Sequence, residues 1–393
     1  MKKITYIDEV SITSQTVLLR VDYNISLTKN SQIADDARIQ QTFPTIDLLL
    51  KNKNKLIIIT YLGRPNSRDP KFSLKNVAKR LQEYYPKYRV TLIDDFLTTD
   101  KSIFTKQTEK EILMLENIRF YPQEKNNNTE FLKKVSELGT VFINDAFGQC
   151  HRVEGTIVGI AHLLPSYGGL LLKKEVKMIS KIIESPKKPI VAILGGAKVS
   201  TKINLLIKLT KIADYVLIGG KMANTFFCAQ GYTNNQSSCQ YDEVENARRL
   251  IYLAQNKNTK IVLPKDVAIA YSLDSEITQI KKINEIPNKA LILDIGPETQ
   301  AEFGTIIANA NTIVWNGPMG YIENPHFRIG TDFIYYTITD NQHAHSVVGG
   351  GDTLSAISKK EYLDKITHIS SGGGAMLEFI EKGTLPGIEA LKK

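Results

Sequence analysis

Short, nearly unbroken apolar runs recur along the chain with amphipathic segments between them, and this rhythm narrows the possible folds more than any other feature. The runs cover residues 17–21, 56–60, 90–93, 112–115 and 141–143, then 190–194, 215–218, 260–263, 290–293, 312–315 and 346–348. A strand with one face in water alternates apolar and polar residues, whereas a continuously apolar strand is covered on both faces. Strands of this kind separated by helix-length segments predict parallel sheets packed between helices. Eleven such runs in 393 residues are too many for one comfortable doubly wound sheet. At roughly 150 residues per domain the length also asks for two or three domains, each able to bury its own core.

The seam is expected near Pro165-Ser166-Tyr167-Gly168-Gly169. After it, Leu172, Val176, Ile179 and Ile183 follow helical spacing, with Lys173, Lys174, Glu175 and Lys177 assigned to the opposite face. Pro186 and Pro189 end that helix, which would join two α/β lobes as a hinge.

The net charge of +9 suggests an anionic partner or a basic surface. The excess is spread thinly, as in Lys51-Asn52-Lys53-Asn54-Lys55, and no block of like charge marks a nucleic-acid arm. Cys150, Cys228 and Cys239 have no CxxC spacing, which supports neither a zinc site nor a disulfide framework. The N-terminus lacks the apolar core of a signal peptide, and no run approaches a membrane span. A soluble, cytoplasmic protein is expected.

In open parallel sheets ligands bind beyond the carboxyl ends of the strands, so the residues found there carry the functional reading. In the first half they are Asp22, Asn24, then Tyr61, Leu62, Gly63 and Arg64, then Arg119, and finally Asn144 to Gly148 leading to His151 and Arg152. Arg38 follows Asp35-Asp36. Guanidinium forks suit carboxylate and phosphate oxygens, and four of them in equivalent places favour a small polyanion over four separate surface salt bridges. The second half supplies glycine instead: Gly195-Gly196, Gly219-Gly220, Gly317 before Pro318, Gly349-Gly350-Gly351-Asp352-Thr353 and Ser371-Gly372-Gly373-Gly374. Glycine lets backbone N–H groups approach a phosphate, and a following helix adds its dipole. Lys198 and Lys202 would both face such phosphates if Val199 begins a helix. Asp352 offers a hard oxygen ligand for Mg²⁺, or else Asp352 and Thr353 only cap a helix. Neither G-x-x-x-x-G-K-[ST] nor G-x-G-x-x-G occurs. An arginine-lined anion lobe and a glycine-rich nucleotide lobe form the layout of a small-molecule kinase.

Five segments bring in a family. Arg20-Val21-Asp22-Tyr23-Asn24, Leu62-Gly63-Arg64-Pro65, Glu116-Asn117-Ile118-Arg119-Phe120-Tyr121-Pro122, Gly195-Gly196-Ala197-Lys198-Val199-Ser200 and Trp315-Asn316-Gly317-Pro318-Met319-Gly320 stand in this order. With them the chain resembles phosphoglycerate kinase over nearly its whole length. The resemblance implies two doubly wound, Rossmann-like lobes: residues 1–170 for the acid, a hinge helix at 171–185, residues 186–374 for the nucleotide, and 375–393 returning to the first lobe. It implies reversible transfer of the 1-phosphoryl group of 1,3-bisphosphoglycerate to Mg-ADP by a monomer whose lobes close about the hinge. The acid would be held by Asp22, Asn24, Arg38, Arg64, Arg119 and Arg152, with Tyr61, Leu62 and Gly63 beside them. Nucleotide would contact Lys198, Lys202, Pro318, Glu323 (through the ribose hydroxyls), Gly350, Gly351, Asp352 and Thr353, with Asp352 on the magnesium. Arg38, Lys202, Gly372 and Gly373 would stabilise the phosphoryl group in flight.

The sequence departs from the family where Tyr61 replaces the usual His, Thr201 replaces Asp, and Lys221 replaces the third glycine of a G-G-G run near the adenine pocket. Ser371 stands where Thr is common. Tyr61 keeps a donor on a longer arm. A second reading is a weak catalyst that binds nucleic acid or another polyanion through its basic surface; retention of Arg38, Lys202 and Asp352 favours the enzyme.

Overall fold

A computed structural model describes residues 3–28, 30, 32–232, 241–349, 351–358 and 361–393. The chain forms two compact units. The first comprises Met1–Lys177 with Thr384–Lys393, and the second Met178–Gly383.

The first unit holds one six-stranded parallel sheet: β1 (Thr16–Arg20), β2 (Lys55–Ile59), β3 (Arg89–Ile93), β4 (Glu111–Leu115), β5 (Val141–Asn144) and β6 (Ser166–Gly168). Its order is β3-β4-β2-β1-β5-β6. The central strands are buried on both faces, as their continuous apolar sequence demands, and Leu18, Ile57 and Phe142 are fully buried. Successive connections leave β1 and β5, which are neighbours, in opposite directions, so the switch point of the sheet lies between them. The C-terminal segment closes this unit: Ile4 bridges Lys392, and the Gly387 amide donates to the Cys150 carbonyl at 2.8 Å.

The second unit repeats the architecture with β7 (Ile190–Leu194), β8 (Tyr215–Ile218), β9 (Lys260–Val262), β13 (Thr312–Asn316), β14 (His345–Gly349) and β15 (His368–Ser370), in the order β15-β14-β13-β7-β8-β9, all parallel. The switch point falls between β7 and β13. A separate three-stranded antiparallel sheet is built from β10 (Asp266–Ala270), β11 (Gln279–Lys282) and β12 (Leu291–Ile295). The run at 290–293, read as one more parallel strand, belongs to this small sheet. β10 follows β9 after three residues and, although fully buried, was not among the runs read from the sequence, where the run at 260–263 stops short of it. β6 and β15 are only three residues long.

The helix after the first sheet spans Leu170–Glu184, and the division between the two units falls within it. Its buried positions are Leu172, Glu175, Ile179 and Ile182. Glu175, placed on the solvent face by the sequence pattern, is fully buried beside Asp145. Asp145 accepts the Leu172 amide at 2.9 Å. Burial pushes the Asp145 carboxyl up to about 6, the hydrogen bonds it accepts pull it down, and the Glu175 charge adds to the rise. A second difference concerns cysteine: Cys150 is a free, buried thiol, but Cys228 is disulfide-bonded.

Candidate functional site

In the first unit the segments leaving β1, β2, β4 and β5 meet at the carboxyl rim of the sheet in one hydrogen-bonded chain. Asp22, nearly buried, accepts Arg38 Nη1 at 2.9 Å and Gln149 Nε2 at 3.2 Å. Arg38 Nη1 also donates to the Asn24 carbonyl at 3.1 Å. The Asn24 side chain accepts the Gly63 amide at 2.7 Å, and the Gly63 carbonyl accepts Arg119 Nη1 at 3.1 Å. Arg119 Nη2 donates to Gln149 Oε1 at 3.0 Å and to Glu154 Oε1 at 2.9 Å, and Arg152 pairs with the same Glu154 oxygen at 3.7 Å. Two carboxylates are thus set against three guanidinium groups. Arg64 is exposed next to them, so the rim is net cationic.

The local sequence explains this geometry. Gly63 has φ of +65°, and a Cβ there would sit 2.4 Å from the Phe72 ring, so the turn that presents Arg64 requires glycine. Asn117 Nδ2 pins the loop by donating to the carbonyls of Leu62 and Phe72, at 2.8 and 2.9 Å. Tyr61 is 2 % exposed, and the Arg119 guanidinium lies 3.7 Å from its ring centroid. Burial, helped by the Asp22 charge, pushes the Tyr61 hydroxyl well above its ordinary value. The residue therefore offers Arg119 a flat face to stack on.

In the second unit the loops around the β7–β13 switch point lock into one another. The Gly195 amide donates to the Asn316 carbonyl at 3.0 Å, Gly220 to Met319 at 2.8 Å and Met222 to Gly196 at 2.8 Å. The Gly317 amide donates to Thr353 Oγ1, and Thr353 Oγ1 to the Gly349 carbonyl, both at 2.8 Å. A Cβ on Gly195 would lie 1.9 Å from the Pro318 carbonyl oxygen. Lys202 Nζ donates to the Gly195 carbonyl at 2.7 Å and to Asn316 Oδ1 at 2.8 Å. Lys202 shares a cleft of about 300 Å³ with Gly374, at the start of the helix Gly373–Lys382, whose N-cap is Gly372.

Lys198 and Lys202 do not lie on one helical face. Ser200–Lys202 form a 3₁₀ turn and the α-helix begins at Ile203. Lys198 is exposed near Glu243. Burial works against ionisation of Glu243, but the hydroxyl and amide of Ser200 donate to it and, with Lys198, hold its carboxyl below the usual range. A larger cavity of about 780 Å³ is lined by Gly196, Lys221, Asn224, Pro318 and Glu323 among others. Gly351 and Thr353 lie in the helix Gly351–Ala356. Gly350 and the side chain of Asp352 lie outside the described part of the structure.

Sequence reasoning missed the residues that hold the arginines and the lysine in place. Gln149, Glu154 and Asn316 are uncharged or oppositely charged neighbours, and only Asn316 and Gln149 carried a signal, through adjacency to the glycine and His151 segments. Asn224 and Lys221 line the larger cavity from the first turns of the helix Gly220–Ala229.

Residues 7–383 match the family model described as phosphoglycerate kinase. A phosphoglycerate kinase of Koribacter versatilis is 42% identical over 395 residues, with 98% of each chain covered. That of Pelotomaculum thermopropionicum is 39% identical over 385 residues, again with 98% of each covered. Among solved structures, the phosphoglycerate kinase of Coxiella burnetii superposes with a TM-score of 0.86 at 36% identity, covering 99% of this chain and 98% of that one. No helix among the described residues is long and apolar enough to cross a membrane. Sequence and fold together place the chain in the phosphoglycerate kinase family, as a phosphotransferase.

Proposed function

We propose that the chain catalyses reversible transfer of the 1-phosphoryl group of 1,3-bisphosphoglycerate to ADP, giving 3-phosphoglycerate and ATP, as a cytoplasmic monomer. The observation that carries the assignment of the acid is the cationic rim of the first unit. Arg38, Arg119 and Arg152 are tethered to only two carboxylates, Asp22 and Glu154, which orient them without cancelling their charge. Asp22, Asn24, Tyr61, Leu62, Gly63 and Arg64 complete the acid site. Nucleotide is assigned to the second unit, on Lys198, Lys202, Pro318, Glu323, Gly350, Gly351, Asp352 and Thr353. The helix Leu170–Glu184 is assigned as the hinge.

The chemistry asks for positioning and charge rather than proton transfer. The terminal phosphate of ADP is already anionic, so no general base is needed when an acyl phosphate is the donor. Charge spreads over the equatorial oxygens of the phosphoryl group in flight. Arg38, Lys202 and the N–H groups of Gly372 and Gly373 neutralise it, and the anchoring of Arg38 by Asp22 and of Lys202 by Asn316 fixes them beforehand. Asp352 is assigned to a magnesium ion that arrives with nucleotide. No cluster of three His, Cys, Asp or Glu able to cage an ion occurs among the described residues, and a nucleotide-borne ion needs only one or two carboxylates, here Asp352. When bound, magnesium supplies charge neutralisation at the phosphates.

A coupled assay of ATP formed from ADP and 1,3-bisphosphoglycerate tests the reading directly. Arg38→Ala and Lys202→Ala are each expected to lower turnover about 10²–10³-fold with circular dichroism unchanged. Near-normal turnover in either variant removes it from the catalytic set.

A further inference from the structure

The 780 Å³ cavity of the second unit has walls of mostly apolar and backbone character, among them Ala197, Ala223, Leu291 and Pro318. Asp294, Tyr321, Glu323 and Ser355 add polar groups from other elements, and two more polar side chains come from one helix. Lys221 and Asn224 stand three residues apart in the first turns of Gly220–Ala229, so they share a face, and both line the cavity. Asn224 is only 7 % exposed, yet its Oδ1 has no hydrogen-bond partner. A buried amide oxygen left unpaired costs free energy unless a ligand or water completes it. Lys221 is exposed, and no carboxylate among the described residues forms an ion pair with it. A cation and an unsatisfied amide on one helix, at the wall of a largely apolar cavity with room for a nucleoside, are groups able to read the edge of a heterocycle.

Purine edges differ at position 6. Guanine and hypoxanthine present two adjacent acceptors, O6 and N7, the pattern a lysine ammonium recognises; adenine replaces O6 by an amino donor, which an ammonium repels and an asparagine amide can accept. We infer that Lys221 and Asn224 form a base-reading pair that admits both 6-amino and 6-oxo purines, with Lys221 as the residue that favours nucleoside diphosphates of the 6-oxo class. This rests on the assignment of nucleotide to this cavity. Asn224 serves either base because its amide can present its oxygen or its nitrogen, whereas Lys221 can only donate.

The test is the ratio of kcat/KM for GDP, and separately IDP, to that for ADP, in the full-length enzyme and in Lys221→Met, which keeps the length of the side chain and removes its charge. The ratios for both 6-oxo nucleotides should fall about 10–100-fold in the variant, a size set by a single good contact to a base edge. IDP lacks the 2-amino group of GDP, so a parallel fall places the effect at position 6. An unchanged ratio, or an equal loss for all three nucleotides (which would put Lys221 on the phosphates), overturns the inference. Ala197→Trp, at an exposed position on the cavity wall, separates this from failure of the underlying assignment. If it raises KM for every nucleotide, the cavity is the nucleotide site and the Lys221 result stands alone. If it changes none of them, the assignment itself falls, and the inference with it.

Discussion

Asp294 makes the second unit's stability depend on pH in an unusual direction. It lies on β12 at the wall of the 780 Å³ cavity, 3 % exposed, with Oδ1 accepting the Ile295 amide at 2.9 Å and Oδ2 the Gly330 amide at 2.7 Å. Cβ atoms on Gly320 or Gly330 would each come within 2.5 Å of its carboxyl group, so no water can reach it from those sides. Burial pushes its carboxyl from 3.8 up to about 7, the two amides pull it down, and the Asp332 charge adds to the rise. In the unfolded chain the group ionises near pH 4; in the native protein it stays protonated until about pH 7. The native state therefore holds the extra proton between those values, and stability falls as pH rises through that window. The full penalty corresponds to on the order of 4 kcal/mol, of which roughly 2–3 kcal/mol accrues between pH 5 and pH 8. Asp294→Asn cannot ionise. It presents an N–H₂ to one of the two backbone donors, but that loss is the same at every pH and drops out of the slope. Trp315 is the single tryptophan, fully buried on β13 with Nε1 donating to the Gly317 carbonyl at 2.9 Å, so its fluorescence follows this unit alone through denaturant unfolding. Between pH 5 and pH 8 the wild-type protein should lose roughly 2–3 kcal/mol relative to Asp294→Asn. Parallel pH profiles for the two proteins would refute the reasoning.

Other perturbations separate scaffolding from chemistry. Arg20 is fully buried; its Nε donates to Thr156 Oγ1 at 2.9 Å, and Thr156 in turn donates to the buried Glu124. Arg20→Ala strands that carboxylate, and the first unit should lose about 3–5 kcal/mol in urea unfolding followed by circular dichroism; a loss below 1 kcal/mol would show the network to be dispensable. Gly195→Ala drives a methyl group into the Pro318 carbonyl and should cost about 1–3 kcal/mol by Trp315 fluorescence together with a raised KM for ADP, whereas an unchanged midpoint and KM would mean the loops part freely. For Tyr61 the ring matters more than the hydroxyl. Tyr61→Ala should raise KM for 3-phosphoglycerate about 3–30-fold by removing the surface under Arg119, and clearly more than Tyr61→Phe does; the reverse order would return the role to the hydroxyl.

The apolar runs announced the two parallel sheets because continuous burial on both faces leaves no freedom in residue type. Phe142 and Ile193 have nowhere to place a polar atom. β11 was invisible for the opposite reason: its residues Gln279–Lys282 are mostly exposed and carry two lysines, so nothing in composition separates that strand from a loop. Its pairing with β10 comes from chain geometry, not from a hydrophobic signal. The buried face of Leu170–Glu184 was misplaced by one residue at two positions. A carboxylate at Glu175 looks like solvent surface until the neighbouring Asp145 and the helix-start amides are in view.

At the candidate site, the cations at the strand ends were easier to read than the groups that hold them, and the asymmetry is physical. A cation that meets an external anion has to be Arg or Lys beyond a strand end, so position and residue type together betray it. The group behind it needs only an acceptor at the right distance. For Arg119 that acceptor is a glycine carbonyl, an amide and a carboxylate at once, supplied by Gly63, Gln149 and Glu154 from two different loops. Many residue types satisfy such a demand, and the spacing between them in sequence is set by whichever helix intervenes. Lys202 shows the limit most plainly. Its four-residue distance from Lys198 invited a helical reading, yet its position is fixed by Asn316, more than a hundred residues away across the β7–β13 switch point. Topology brings those two strand ends together, and no local pattern could have carried the information. Where a side chain's partner is dictated by strand order, the sequence reveals the partner only after the order of the sheet is known.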